Sequence, residues 1–400
     1  MNPRQPWAAA AAAIGLSLAL WAGPAPATAV VVDIVMTGLV APRGLAFAPD
    51  GALYVTEAGS GGSGPTLLMA NGRPMSLGYS GGVSRFDNGQ QSRVLGGLPS
   101  LAPAGGTEAV GLQDIVFDVS GQAWGLFGLA STPAQRDALG AFGASLFGTV
   151  SLLGLGGNGS VQPVADIAQH EAAYNPGGGA IDTNPYGLAR TAAGDFIVAD
   201  AGGNTFLRAA MDGTVSTLGV LGARPNPLPF GPPFYQSVPT AAAIGPDGGV
   251  YIGELTGFPF PQGAALVHRH DLGTGTTSVA ETGFTTIIDL DFDAAGNLYV
   301  LQLSSNGLAA PSGPGSGVLL KIDAQTGDRT VLLDDGLFFP GGLAIEEGPL
   351  GPVFYVSTHT HLPAGGTVLR IAPVPEPQTW ALMLAGLAAL GTLARRRRRD

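Results

Sequence analysis

Six degenerate copies of one short pattern constrain this chain more than any other feature. The segment GLAFAPDGALYVTEA, residues 44–58, returns as DIVFDVSGQAWGLFG from Asp114 and GLARTAAGDFIVADA from Gly187. It returns again as AAAIGPDGGVYIGEL from Ala241, DLDFDAAGNLYVLQL from Asp289 and GLAIEEGPLGPVFYVST from Gly342. Each copy holds two short apolar runs around a tight turn, the pattern of a β-hairpin. A second pair of runs follows most copies, such as TFLRAAMDGTVSTLG after the third and VLLKIDAQTGDRTVLLDDG after the fifth. Four strands per copy make a propeller blade, so the expected fold is all-β, a six-bladed β-propeller.

Counting strands extends that reading. The sixth copy supplies three strands, ending with TVLRIAP at residues 367–373, while VVVDIVMTGL stands unclaimed ahead of the first copy. Residues 30–37 are therefore expected to complete the blade begun at Gly342, leaving the ring closed by its N-terminal strand.

In a blade the first strand runs down beside the central channel and the second returns. The start of the first and the end of the second thus share one face. Arg43, Gln113, Tyr186, Thr240, Ile288 and Gly341 start the first strands, and Gly44, Asp114, Gly187, Ala241, Asp289 and Gly342 follow them. Glu57, Phe127, Asp200, Glu254, Gln302 and Ser357 end the second strands. The long loops 58–81, 128–147, 166–184, 221–238 and 304–317 reach the same face. A ligand site is expected at that mouth, drawn from Arg43, Gln113, Asp114, Tyr186, Asp289 and Gln302.

Two chemistries are open to the acids. Glu57, Asp200 and Glu254, with neighbouring oxygens, could hold calcium, a hard cation that takes roughly six to eight oxygen ligands. They could instead cap loop amides or pair with Arg43, Arg208 and Arg269. His268 with His270, and His359 with His361, each share one side of an extended segment but lack a third ligand at a diagnostic spacing. Both pairs read as solvent-facing strand residues. No thiol supports covalent catalysis, and no nucleophile elbow is read, since the one Gly-x-Ser-x-Gly spacing, at residues 78–82, has no helix pattern after it. The glycine-rich stretches 59–64 and 154–159 precede no helix and read as turns. Residues 222–234, rich in Pro and Phe, read as a rigid recognition loop.

The C-terminal residues set destination. Pro375-Glu376-Pro377 precedes an apolar run over 380–394, and Arg395, Arg396, Arg397, Arg398 and Arg399 follow it. At ~1.5 Å per residue that run reaches roughly 22 Å as a transmembrane helix, short of the ~30 Å hydrocarbon core and suited to a transient anchor. The arginines hold its end on the cytoplasmic side and leave the body outside. The order resembles the PEP-CTERM sorting signal, and the resemblance implies that an exosortase-type enzyme reads Pro375, Glu376 and Pro377 and cuts there. A retained anchor is the open alternative. At the other end, Arg4, the apolar run 8–22 and Ala27-Thr28-Ala29 read as a signal peptide over 1–29, removed by signal peptidase before Val30. The expected parts are the signal peptide 1–29, the propeller 30–373 and the sorting tail 374–400. The expected location is periplasmic, outer-surface or extracellular, with the inner membrane holding the tail at least transiently.

The chain has no cysteine, so an exported protein of this kind relies on core burial instead of disulfides. Setting aside the six positive charges of Arg4 and the tail arginines and the one negative charge of Asp400, the net charge of −11 becomes −16 over residues 30–394. Such an acidic body argues against nucleic acid as a partner.

The blade motifs also resemble an exported family. Residues 44–57, then Gly82-Val83-Ser84-Arg85-Phe86 and Leu112-Gln113-Asp114, are similar to the ScyD/ScyE family over roughly residues 32–373. The blade signature is shared with NHL-, TolB- and gluconolactonase-type propellers. The resemblance implies the propeller architecture alone; the expected function is an extracellular or cell-surface binding and scaffolding module, with polysaccharide or a surface protein as partner. Two other readings remain: a calcium-dependent lactonase or related hydrolase using the acidic mouth, and a structural component of an exopolysaccharide matrix.

Overall fold

The computed structural model describes residues 30–69, 71–155 and 159–374. The expected signal peptide and the expected sorting tail from Pro375 to Arg399 lie outside them. Among the described residues, no helix is long and apolar enough to cross a membrane.

Six antiparallel blades follow one another. Blade 1 comprises Pro42–Phe47, Leu53–Glu57, Pro74–Asp87 and Gln90–Ala102, with the short strand Thr66–Leu68 added. Blade 2 is Leu112–Phe117, Ala123–Phe127, Thr149–Leu153 and Val161–Asp166; blade 3 is Pro185–Arg190, Phe196–Asp200, Thr205–Ala209 and Val215–Val220. Blade 4 is Pro239–Ile244, Val250–Glu254, Ala265–Asp271 and Thr276–Phe284; blade 5 is Ile287–Phe292, Leu298–Gln302, Val318–Ile322 and Arg329–Leu333. Blade 6 takes Leu343–Gly348, Gly351–Thr358 and Gly366–Pro373 from the end of the chain and Val30–Leu39 from its start.

That last pairing is the expected closure. Val30 lies opposite Pro373, Val32 opposite Ile371 and Leu39 opposite Gly366. The strand runs two residues beyond the expected Thr37, and the extra length carries Leu39 into the core. Met36 and Leu39 pack with Leu45, Leu53 and Val55 of blade 1 and with Tyr355 and Val368 of blade 6. Each further pair of neighbouring blades encloses a comparable cluster. The core is therefore a ring of inter-blade layers rather than a central mass.

Burial follows position within a blade. Second strands are covered on both faces, and every residue of Ala123–Phe127, Phe196–Asp200 and Leu298–Gln302 is buried. Such strands read as continuous apolar runs instead of alternating ones. Outermost strands are largely exposed, as in Thr276–Phe284. The inner hairpins turn on short side-chain bonds: Asp50 Oδ1 accepts from Ala52 N at 3.0 Å, and Asp247 Oδ1 from Gly249 N at 3.1 Å.

The loops above the mouth are more structured than the sequence suggests. Segment 128–147 carries the helices Pro133–Arg136 and Gly140–Leu146, and Ile167–Tyr174 forms a helix capped by Asp166, which accepts from Gln169 N. The long third and fourth strands of blade 1 rise to meet them. Leu67, Met75, Leu77 and Leu101 pack there against Leu129, Leu139 and Phe147 as a satellite core.

Candidate ligand-binding mouth

The channel has a waist. A Cβ on Gly342 would lie 2.8 Å from Gly44 Cα, and one on Gly187 3.0 Å from Ala241 Cα. The space that a side chain at Gly44 would need is taken by the Asp114 carboxylate. At this layer the first strands of blades 1, 3, 4 and 6 carry glycine or alanine and approach closely, while those of blades 2 and 5 carry Asp114 and Asp289. Residues one step earlier in the chain therefore face up, and those further along face down.

Above the waist lies a cavity of about 260 Å³, lined by Arg43, Gln113, Tyr186, Glu108, Asn184, Ile288, Leu303, Leu308, Phe339, Thr360 and His361. Three of the expected mouth residues, Arg43, Gln113 and Tyr186, meet here. Arg43 is 7 % exposed and donates to Gln113 Oε1 at 3.0 Å, Thr360 O at 2.6 Å and Ala109 O at 2.7 Å. Its planar fork thus ties blade 1 to blade 2 and to the last loop of blade 6. That bond presents His361 to the cavity, its ring 4.2 Å from the Phe339 ring centroid. His361 Nδ1 is buried without a partner, and burial holds the imidazole below its usual pKa. Burial likewise raises the Tyr186 phenol.

The other expected mouth residues lie elsewhere. Asp114 and Asp289 face down into a second cavity of about 270 Å³, shared with Asp291 and Arg190. Blades 2 and 5 stand opposite in the ring, and these aspartates play the same part in each. Asp114 Oδ2 accepts from Leu188 N of blade 3 at 2.7 Å, and Asp289 Oδ2 from Leu343 N of blade 6 at 2.7 Å. Burial pushes Asp114 up to about 7, and burial, then the facing Asp114 charge, pushes Asp289 well above the usual range. Gln302 lines neither cavity; its Oε1 accepts from Thr285 N at 2.6 Å.

The proposed calcium ligands do not converge, and among the described residues no group of three or more His, Asp or Glu could hold a metal ion. Each second-strand acid is instead engaged by its own blade and the segment that leads into it. Glu57 accepts from Val40 N at 2.8 Å and Ser84 Oγ at 2.7 Å. Asp200 accepts from Thr183 Oγ1, Asn184 N and Gly202 N. Glu254 takes Arg224 Nη1 at 2.8 Å and faces His268 Nε2 at 2.7 Å, bonds that hold its pKa low against the opposing effect of burial. Gln302 belongs to this set: with Glu57 and Asp200 it holds the backbone just ahead of its blade's first strand. The expected partners are exchanged as well, since Arg208 pairs with Asp195 and Arg269 with Asp247. His268 and His270 are buried rather than solvent-facing, at 9 % and 3 % exposure.

Arg224 also explains the loop 222–234. Its fork on Glu254 and its stacking 5.2 Å over Tyr235 anchor the loop on blade 4. Phe230 and Phe234 remain exposed on it, and Phe230 meets Phe258.

One feature escapes the repeat alignment altogether. Glu171, on the helix Ile167–Tyr174, and Asp182 line a third cavity of about 270 Å³. Burial, then the charges of Asp200 and Asp182, raises Glu171 to about 7; burial, then Asp200, raises Asp182 to about 6. Asp182 Oδ1 is buried without a hydrogen-bond partner. Both acids sit in inter-blade loops, where no repeat aligns them.

Comparison with known proteins adds three findings. The PEP-CTERM protein-sorting motif matches residues 373–399. No curated protein matches the chain. Among solved structures, a protein of unknown function from Bacteroides thetaiotaomicron is 10% identical with a TM-score of 0.51, covering 86% of this chain and 76% of its own. A putative gluconolactonase is 14% identical with a TM-score of 0.47, covering 88% and 93%. A streptogramin B lyase is 13% identical with a TM-score of 0.44, covering 86% and 98%. At these identities the likeness is one of fold. The sorting motif does more: it implies that this propeller is exported and handled by an exosortase-type enzyme.

Proposed function

We propose that the chain is an exported binding module that takes a small polar ligand with an apolar face at the mouth. The mixed lining of the upper cavity carries this reading. Phe339, Leu303, Leu308 and Ile288 offer apolar surface, while Tyr186, Asn184 and His361 offer polar atoms around it. At about 260 Å³ the cavity falls just below the ~300–1,000 Å³ of drug-sized sites, so it suits one ring or a chain end. A terminal sugar unit of a polysaccharide has that chemistry, hydroxyls at the rim and a C–H face for the aromatic ring. Arg43 serves as a strut across the mouth, because each of its three guanidinium nitrogens donates to a protein carbonyl. The ScyD/ScyE resemblance, which carries an architecture and no reaction, is compatible with this reading.

Calorimetry with short neutral and acidic oligosaccharides tests it. Phe339→Ala and His361→Ala are each expected to weaken binding at least tenfold without lowering the melting temperature appreciably. Equal affinity in the folded variants, or no binding by the wild type, would sink the proposal.

A further inference from the structure

The closing blade places both ends of the described chain at one corner. Val30 and Pro373 are paired in register, so the outer strand begins where the third strand stops. That corner belongs to the face opposite the mouth. Third strands run parallel to first strands, away from the mouth, and the inner turn of blade 6 reaches the same end. A Cβ on Gly351 in that turn would lie 3.9 Å from Pro373 Cγ.

The sorting motif begins without a spacer. Six residues, 374–379, separate Pro373 from the apolar run that starts at Trp380. Fully extended, six residues span at most roughly 20 Å. While the apolar run is in the bilayer, the lower end of blade 6 is therefore held within about that distance of the lipid surface. The corner exposes apolar side chains beside the charged Asp33, Glu346 and Glu347: Val31, Val32 and Ile34 of the outer strand are 47 %, 42 % and 62 % exposed, and Leu350 in the inner turn is 55 % exposed. Before removal of the expected signal peptide, the apolar run 8–22 also leads into this corner at Val30.

We propose that the uncleaved protein rests on the bilayer by the lower end of blade 6, with its mouth directed away from the lipid. The tether supplies the attraction, because a body of net charge −16 gains nothing from an anionic surface. Ligand capture at the mouth then needs no release from the membrane. Only Val374 separates Pro375 from Pro373, so the sorting enzyme works against the folded end of blade 6.

The cysteine-free chain makes the test direct. Single variants Leu350→Cys, Phe338→Cys and Tyr174→Cys carry a fluorophore in the full, uncleaved chain, reconstituted in liposomes containing a quencher-labelled lipid. Phe338 and Tyr174 lie in loops on the mouth face and are 54 % and 72 % exposed. Quenching is expected to be several-fold stronger at Leu350 than at Phe338 or Tyr174. A flexible spacer of about fifteen residues inserted between Val374 and Pro375 is expected to shrink that difference. Equal or stronger quenching at Phe338 or Tyr174, or none at any site, overturns the proposal. A spacer without effect on the difference overturns the tether as its cause.

Discussion

Arg43 shows what a single residue does at the centre of a propeller. Its guanidinium meets a side-chain amide and two backbone carbonyls from three parts of the chain, distances that a lysine ammonium on one stem cannot satisfy together. Arg43→Lys is expected to cost about 2 kcal/mol in denaturant unfolding, as buried carbonyls lose their donors. Glu171 makes a prediction of another kind. Its pKa is raised from 4.5 to about 7 in the folded protein, so folding favours the protonated form. The stability it contributes is present below about pH 4.5 and is lost as pH rises through about 7. Glu171→Gln is therefore expected to raise the melting temperature by a few degrees at pH 8 and to leave it nearly unchanged at pH 4.5. An equal shift at both values would show that its carboxyl is not proton-loving. Asp114 and Asp289 add slope of the same sign. The identity of Arg43 as a mouth residue was legible from the repeat; its role as a strut was not, because Ala109 and Thr360 are distant in sequence. Glu171 was invisible for the same reason.

Among elements, the N-terminal strand matters most. It buries Met36 and Leu39 between blades 6 and 1, each 1 % exposed. Met36→Ala is expected to cost about 2–5 kcal/mol, measured by denaturant unfolding, since the cavity would lie where the ring is closed by pairing alone. A cost near that of an exposed site would mean that blade 6 closes without it. This strand could be anticipated from arithmetic, as three strands in the sixth copy demand a fourth. The helices over 133–146 could not. Their apolar residues pack against the elongated third and fourth strands of blade 1, and that partner surface exists only once the fold has formed. The acids at the second-strand ends were correctly placed on the mouth face by the alignment. Their convergence was not, because side chains at equivalent positions point into their own blades and meet local donors.

For the whole molecule, the ring geometry separates what lies above the waist from what lies below it. With Glu57, Asp200 and Glu254 each satisfied by protein donors, millimolar calcium and EDTA are expected to leave the melting temperature equal. A rise with calcium, which would amount to about 2.7 kcal/mol at 100 times its dissociation constant, would favour the lactonase reading. The sequence by itself determined the blade number, the closing strand, the face that carries the loops and the sorting tail, because each follows from a repeat or a motif read along the chain. Only the tertiary structure decided which residues share a cavity. Arg43, Tyr186 and His361 come together while Asp114 and Asp289 drop beneath them, since a one-residue step across a waist of glycines sends side chains to opposite compartments.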